Sequence, residues 1–198
     1  VADVKNLAVV PEEKPRKKRY NLKLDLGSGD HPREGFEGVD VTALDNVKHV
    51  VDLFHFPWPF EDGSVKELNV SHFVEHIPHY RPEWLGKDGW FMFWEEVHRI
   101  CKKGALIHVV HPYVMNARAF WDPTHVRFID SMTWYYLDAE WRKLQHLDHY
   151  TDADFEIVVM SGNGIADDIA TRNQEYQTFA RSHYWNVIAD LVVELKRR

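Results

Sequence analysis

Leu22, Leu24 and Leu26 alternate with Lys23 and Asp25, and the chain then meets Gly27 and Gly29. A period of two running into glycines reads as a strand ending in a sharp turn, where backbone can approach a ligand closely. Two further apolar pieces soon end on carboxylates, Gly38-Val39-Asp40-Val41 and Lys48-His49-Val50-Val51-Asp52. Three acidic strand ends so close together restrict the chain to folds in which those ends share one rim. Residues 65–70 read as a fourth strand. Gly89–Ile100 reads as a helix, because Phe91, Phe93, Trp94, Val97 and Ile100 recur at helical spacing. Lys102 and Lys103 suit that helix's C-terminal end, Gly104 stops it, and residues 105–110 form a buried strand halting at His111-Pro112. Asp130 and Ser131 cap a short helix through Tyr136, and residues 155–160 read as another strand. Residues 175–179 are a last, weaker strand candidate. The chain is expected to close in a helix capped by Ser182, with Trp185, Ile188, Leu191, Val192 and Leu195 as its apolar stripe. Strands alternating with helices predict an α/β fold: a doubly wound, mostly parallel sheet with helices on both faces and ligands outside its carboxyl strand ends.

At 198 residues and 44% hydrophobic composition the chain suits one folded domain, placed at 21–198 behind a flexible basic tail at 1–20. That tail holds Lys14, Arg16, Lys17, Lys18 and Arg19, whereas the net charge is −7, so the rest is more acidic still by those five charges. So acidic a body is a poor surface for nucleic-acid phosphates, and nucleic acid is disfavoured as a partner. No apolar run approaches the roughly 18 residues of a membrane span. The single cysteine, Cys101, and the lack of a charged start leading into an apolar run make a reducing cytoplasm the expected location. Oligomeric state is left open.

The glycine turn excludes two common ligands. A nicotinamide dinucleotide site asks for a third glycine where Pro32 stands and an acidic residue further on than Asp40, and no lysine–hydroxyl pair follows for a nucleoside triphosphate. A different nucleoside cofactor fits better.

Over about residues 23–136 the sequence resembles the class I S-adenosylmethionine-dependent methyltransferases, whose fold is Rossmann-like. Leu24-Asp25-Leu26-Gly27-Ser28-Gly29 resembles the family's first motif, Val39-Asp40-Val41 its ribose-binding strand end, and Val51-Asp52-Leu53 its adenine-side position. Phe60-Glu61-Asp62-Gly63-Ser64-Val65 with Ser71-His72-Phe73-Val74-Glu75-His76-Ile77 looks like its fourth strand and the segment after it, and Glu96 to Gly104 like the helix and turn before its fifth. Only about ten residues separate Gly29 from Asp40, too few for the usual first helix. The resemblance is therefore to small, type-11-like methyltransferases in which a short loop replaces that helix. It implies S-adenosyl-L-methionine as cofactor, bound by Asp25, Gly27, Ser28, Gly29, Asp40, Val41, Asp52, Leu53, Ser71 and His72, and an antiparallel last strand. Hydrogen bonding agrees, since one carboxylate accepts two ribose hydroxyls well and another an adenine amine. Asp25 either orients the loop or meets the amino group of the methionine part.

Methyl transfer depends mainly on alignment, and a base matters only where the acceptor carries a proton. Asp122-Pro123-Thr124-His125 follows the fifth strand, where acceptor residues are expected. His125 is the candidate base or acceptor-orienting residue, Asp122 its helper and His76 a nearby contributor, with purely structural hydrogen bonding as the competing reading. The resulting expectation is methyl transfer to oxygen or nitrogen of a small-molecule or glycan-type acceptor, with no metal assigned. Two alternatives stand beside it. One is a protein that binds the cofactor without turnover. The other is a zinc hydrolase, because His72-x-x-Glu75-His76 matches a metallopeptidase pattern that needs both histidines on one helix face.

Overall fold

The computed structural model describes residues 20–198, so the basic run at 14–19 lies outside the described residues. Leu22–Leu26 forms β1, Glu37–Asp40 β2, Val47–Val50 β3, Val65–Ser71 β4, Cys101–Pro112 β5, Phe155–Ile165 β6 and Ile188–Arg197 β7. They make one sheet in the order β3-β2-β1-β4-β5-β7-β6. All run parallel except β7, which is antiparallel to both β5 and β6, as the resemblance implies for the last strand. The order reverses between β1 and β4, and the carboxyl ends at such a switch point are where open α/β sheets hold ligands.

One face of the sheet carries the core. Leu24, Leu26, Leu68, Val70, Ile107, Val109, Val193 and Leu195 are fully buried there, beneath helix α1, Gly89–Ile100. Asp88 starts α1 by accepting the Trp90 amide at 2.8 Å. Trp90, Phe93, Trp94, Val97 and Ile100 form its inward stripe, each large side chain contributing about 1.5–3 kcal/mol by leaving water. Trp134, in the turn at Ser131–Leu137, meets Trp90 and Trp94 edge-on at 5.2 and 5.4 Å. Much of the chain's aromatic content is thus spent on packing. At the end of α1, Arg99 donates to the Phe60 and Trp58 carbonyls at 2.8 and 3.1 Å, while Glu96 accepts the Trp58 amide. These bonds fasten the 51–64 loop to the helix and so hold Asp52 at its strand end.

Three expectations change. The expectation of helices on both faces is narrowed: the connections after β1, β2 and β3 contain no helix, the first in keeping with the short loop expected after Gly29, and over β1 and β4 the second face is covered by the 27–36 loop. There the Arg33 amide bonds Asp25 at 2.6 Å and its guanidinium bonds Asn69 at 3.2 Å. The stretches 27–36 and 41–46 are too short for helices that pack back on the sheet, and 51–64 is interrupted by Pro57 and Pro59. Second, α1 passes into β5 at Cys101 without a turn, and Gly104, at φ +80°, occupies an irregularity early in β5 where the pairing with β4 shifts. Third, the C-terminal assignments invert. The segment holding the expected weak strand is helical, following Ala139–Leu144 (α2) and Asp167–Ala170 (α3) as α4, Gln174–His183, capped by Asn173. The expected closing helix is β7. Its apolar residues fit both periods, but Leu191, Val193 and Leu195 alternate inward to fill the slot between β5 and β6.

Candidate functional site

At the tip of β1, Gly27 and Gly29 adopt φ +68° and +53°, the left-handed region that glycine enters without strain. A Cβ on Gly27 would stand 2.3 Å from the Phe73 ring. The turn is closed by its own amides: Gly27 and Ser28 donate to the Val39 carbonyl at 2.8 and 3.3 Å, and Gly29 donates to Asp40 Oδ2 at 3.0 Å. Asp40 Oδ1 accepts the Thr42 amide, also at 3.0 Å. Each oxygen keeps one further lone pair for a ligand, and the carboxylate is held still at the end of β2.

Beside this turn lies a cavity of about 460 Å³. Gly27, Asp40, Val41, Asp52, Leu53 and His72 line it, six of the ten residues expected to bind cofactor. Asp25, Ser28, Gly29 and Ser71 do not. Asp25 is buried and held by Arg33 and by Asn69 at 2.8 Å, the loop-orienting arrangement; burial raises its pKa against the lowering effect of those bonds. The Ser28 hydroxyl bonds the Gly29 carbonyl, and Ser71 pairs with Val110 within the sheet. The cavity also has walls that spacing did not single out. Phe54 and Phe73 stack at 5.4 Å, and the Arg81 guanidinium lies 5.0 Å above Phe54 and 3.5 Å from Asp52 Oδ2. Asp52 Oδ1 accepts the Phe54 amide at 2.8 Å.

A second group adjoins the cavity through His72 and His76. The Val126 and Arg127 amides donate to the Glu75 carbonyl at 2.9 and 3.0 Å, and Arg127 reaches the Ile77 and Pro78 carbonyls and Asp88. This lacing brings the 122–127 loop against the segment after β4. His76 and His125 then meet edge-on at 4.8 Å. Asp122 does not serve His125: its carboxylate accepts the Thr124 amide and hydroxyl at 2.8 and 2.6 Å, bonds that hold its pKa below the usual carboxylate range. Because the Thr124 hydroxyl donates to Asp122, it accepts from His76 Nδ1 at 3.0 Å. His125 Nδ1 lies 3.0 Å from the Ala119 carbonyl and therefore carries the proton, which leaves its Nε2 lone pair directed towards Glu75. The hydrolase pattern loses its geometry here. His72 sits at φ +51° ahead of a single three-residue turn, Val74–His76, so His72 and His76 do not share a helix face.

No protein-family model matches the sequence, and no curated protein matches it. Solved structures do. A SAM-dependent methyltransferase from Archaeoglobus fulgidus aligns with 91% of this chain and 87% of its own at 17% identity and a TM-score of 0.53. One from Methanosarcina mazei aligns with 90% and 93% at 13% identity and 0.52. Geranyl diphosphate C-methyltransferase from Streptomyces coelicolor, crystallised with Mg2+, geranyl diphosphate and S-adenosyl-L-homocysteine, aligns with 91% and 76% at 13% identity and 0.51. The chain shares the Rossmann-like fold of these S-adenosylmethionine-dependent methyltransferases. Among the described residues no helix is long and apolar enough to cross a membrane.

Proposed function

We propose that the protein is an S-adenosyl-L-methionine-dependent methyltransferase acting on oxygen or nitrogen of a small-molecule or glycan-type acceptor. The observation that carries this reading is the cavity at the switch point with Asp40 and Asp52 at its rim, in a fold shared with methyltransferases. The residues fit the cofactor. A volume of about 460 Å³ lies within the roughly 300–1,000 Å³ of small-molecule pockets. Asp40 retains a lone pair on each oxygen for a ribose diol, Asp52 offers a second carboxylate for an amine, and Val41, Leu53, Phe54 and Phe73 supply apolar walls for a flat base. Gly27 keeps clear the space that a side chain would take from Phe73.

When bound, the cofactor supplies a methyl group on an electrophilic sulfonium. The chain's own task is alignment, which the rigid turn, the fixed Asp40 and the Phe54–Phe73 stack serve. His76 and His125 are proposed to face the acceptor, where an imidazole lone pair can take a proton from a hydroxyl or amine. Calorimetric titration with S-adenosylmethionine and S-adenosylhomocysteine tests the reading. Wild type is expected to bind both, and Asp40→Ala to lose at least about tenfold, equivalent to about 1.4 kcal/mol. Folded wild type that binds neither refutes the proposal. Binding without transfer across a broad acceptor panel favours a sensor.

A further inference from the structure

We propose that Glu75, His76 and His125 form a site for one divalent transition-metal ion, of the Zn2+, Mn2+ or Fe2+ kind, beside the cofactor cavity. One ring nitrogen of each histidine and a Glu75 oxygen lie within 4.8 Å of one another. Glu75 is the independent sign that something belongs there. Its side chain is 2% exposed, yet neither carboxylate oxygen accepts a hydrogen bond. The nearest ring nitrogens are His72 Nδ1 at 3.5 Å, too long for a good charge-assisted bond, and the unprotonated His125 Nε2 at 3.9 Å. Native proteins rarely leave a buried carboxylate in that state, and a bound ion is one of the few things that resolves it.

The surroundings fit ligation. Metal-binding histidines donate one ring N–H to a carbonyl, hydroxyl or carboxylate, fixing the tautomer and freeing the other nitrogen. His125 does this to the Ala119 carbonyl, and His76 to Thr124, itself fixed by Asp122. Two imidazoles and one carboxylate, leaving positions open, form a donor set that selects first-row divalent ions over Mg2+ or Ca2+. At metal–ligand distances of about 2.1 Å, neighbouring donors stand about 3–3.5 Å apart, so the most separated of the three donors, 4.8 Å apart, need close by about 1.5 Å. His72 and His76 line the cavity, so the ion's open positions have access to it. Ligation occupies the two imidazole lone pairs offered above as bases, so with the ion bound an acceptor hydroxyl would be acidified by the metal instead, and an acceptor with adjacent hydroxyl oxygens matches such an ion, a link that rests on the methyltransferase reading.

The test uses the untagged full chain, stripped of metal and titrated with Zn2+ and Mn2+ by calorimetry and with Co2+ by visible absorption. One equivalent per chain is expected. Glu75→Gln and His125→Gln are each expected to weaken affinity by at least about 100-fold, and Thr124→Val, which only unties His76, by about tenfold. No binding at millimolar ion by the folded chain overturns the proposal, as does undiminished affinity in either ligand variant. Should Glu75→Gln fail to fold, His125→Gln and Thr124→Val decide the matter alone. S-adenosylhomocysteine binding is measured on the same samples. Metal bound without nucleoside leaves this site standing and removes the methyltransferase reading, whereas nucleoside bound without metal removes this site alone.

Discussion

His111 should make the protein markedly less stable in mild acid. Its ring is fully buried at the end of β5, with Nδ1 2.9 Å from the Pro112 carbonyl and Nε2 accepting the Trp134 indole N–H at 3.2 Å. Both nitrogens are committed to the neutral tautomer, and a second proton would point at the indole donor. Burial pushes its pKa down to about 4, against about 6.5 in an unfolded chain. The unfolded state therefore binds the proton more readily, and the stability that the neutral ring carries above pH 6.5 drains away as pH falls towards 4. Linkage puts the loss at about 2 kcal/mol between pH 7 and pH 5, and about 3 kcal/mol by pH 4. Urea unfolding of wild type and His111→Gln, followed by tryptophan fluorescence at pH 7, 6 and 5, isolates the effect. Groups with no tie to His111, such as His98, lowered by burial, titrate in both proteins and cancel in the difference, whereas His72 and Glu75 are electrostatically coupled to His111 and leave a smaller contribution in it. With a urea dependence of about 2 kcal/mol per M, the wild-type midpoint should fall about 1 M further than the variant's over that range. Parallel pH profiles would refute the reasoning.

Two substitutions test how the site is held. Gly27→Ala forces a side chain into φ +68° and against Phe73 at 2.3 Å, so it should cost about 2–4 kcal/mol and weaken nucleoside binding; Gly29→Ala, at φ +53° with open space around it, should cost only about 1 kcal/mol, and thermal denaturation of the pair checks the contrast. Arg142 is 2% exposed and donates to the Tyr136, Thr151 and Ala153 carbonyls at 2.8, 2.9 and 2.8 Å. Arg142→Met should lose about 3 kcal/mol in urea unfolding, and Arg142→Lys should recover little, because an ammonium does not reproduce the fork.

The first two-thirds of the fold was legible because period and punctuation agree there. Leu22, Leu24 and Leu26 point one way and end at glycines, and α1 has a wide aromatic stripe beginning directly after Asp88. Past residue 170 they disagree. Ile188, Leu191, Val192 and Leu195 satisfy a helical period, and only the place waiting between β5 and β6 makes β7 a strand. Glu175-Tyr176-Gln177-Thr178-Phe179 alternates like a strand, but the Asn173 cap and the burial of Ala180 against Ile169, Val187 and Ile188 carry it into α4. Tertiary packing decided both, and packing is not written in a local period.

The site divides along the same line. Asp40 and Asp52 could be read because one ends its strand and the other follows its strand by two residues, so local pattern alone puts them on the rim. Glu75 and His125 lie fifty positions apart, and what joins them is backbone: the Val126 and Arg127 amides on the Glu75 carbonyl, secured by Arg127 across to residues 77, 78 and 88. A motif reading therefore paired Asp122 with its near neighbour His125, whereas the structure pairs it through Thr124 with His76. The short loop after β1 has a matching consequence. With the three turn amides spent on Val39 and Asp40, and no helix N-terminus following, the turn has little left with which to attract an anion. Recognition passes to side chains, and Arg81 is the one guanidinium among the described residues that lines the cavity. It lies over Phe54 and beside Asp52, so a ligand seated there must slide beneath it or displace it. On the proposed reading Arg81→Ala is therefore expected to weaken S-adenosylhomocysteine binding in calorimetric titration, and unchanged affinity would refute that role for the guanidinium.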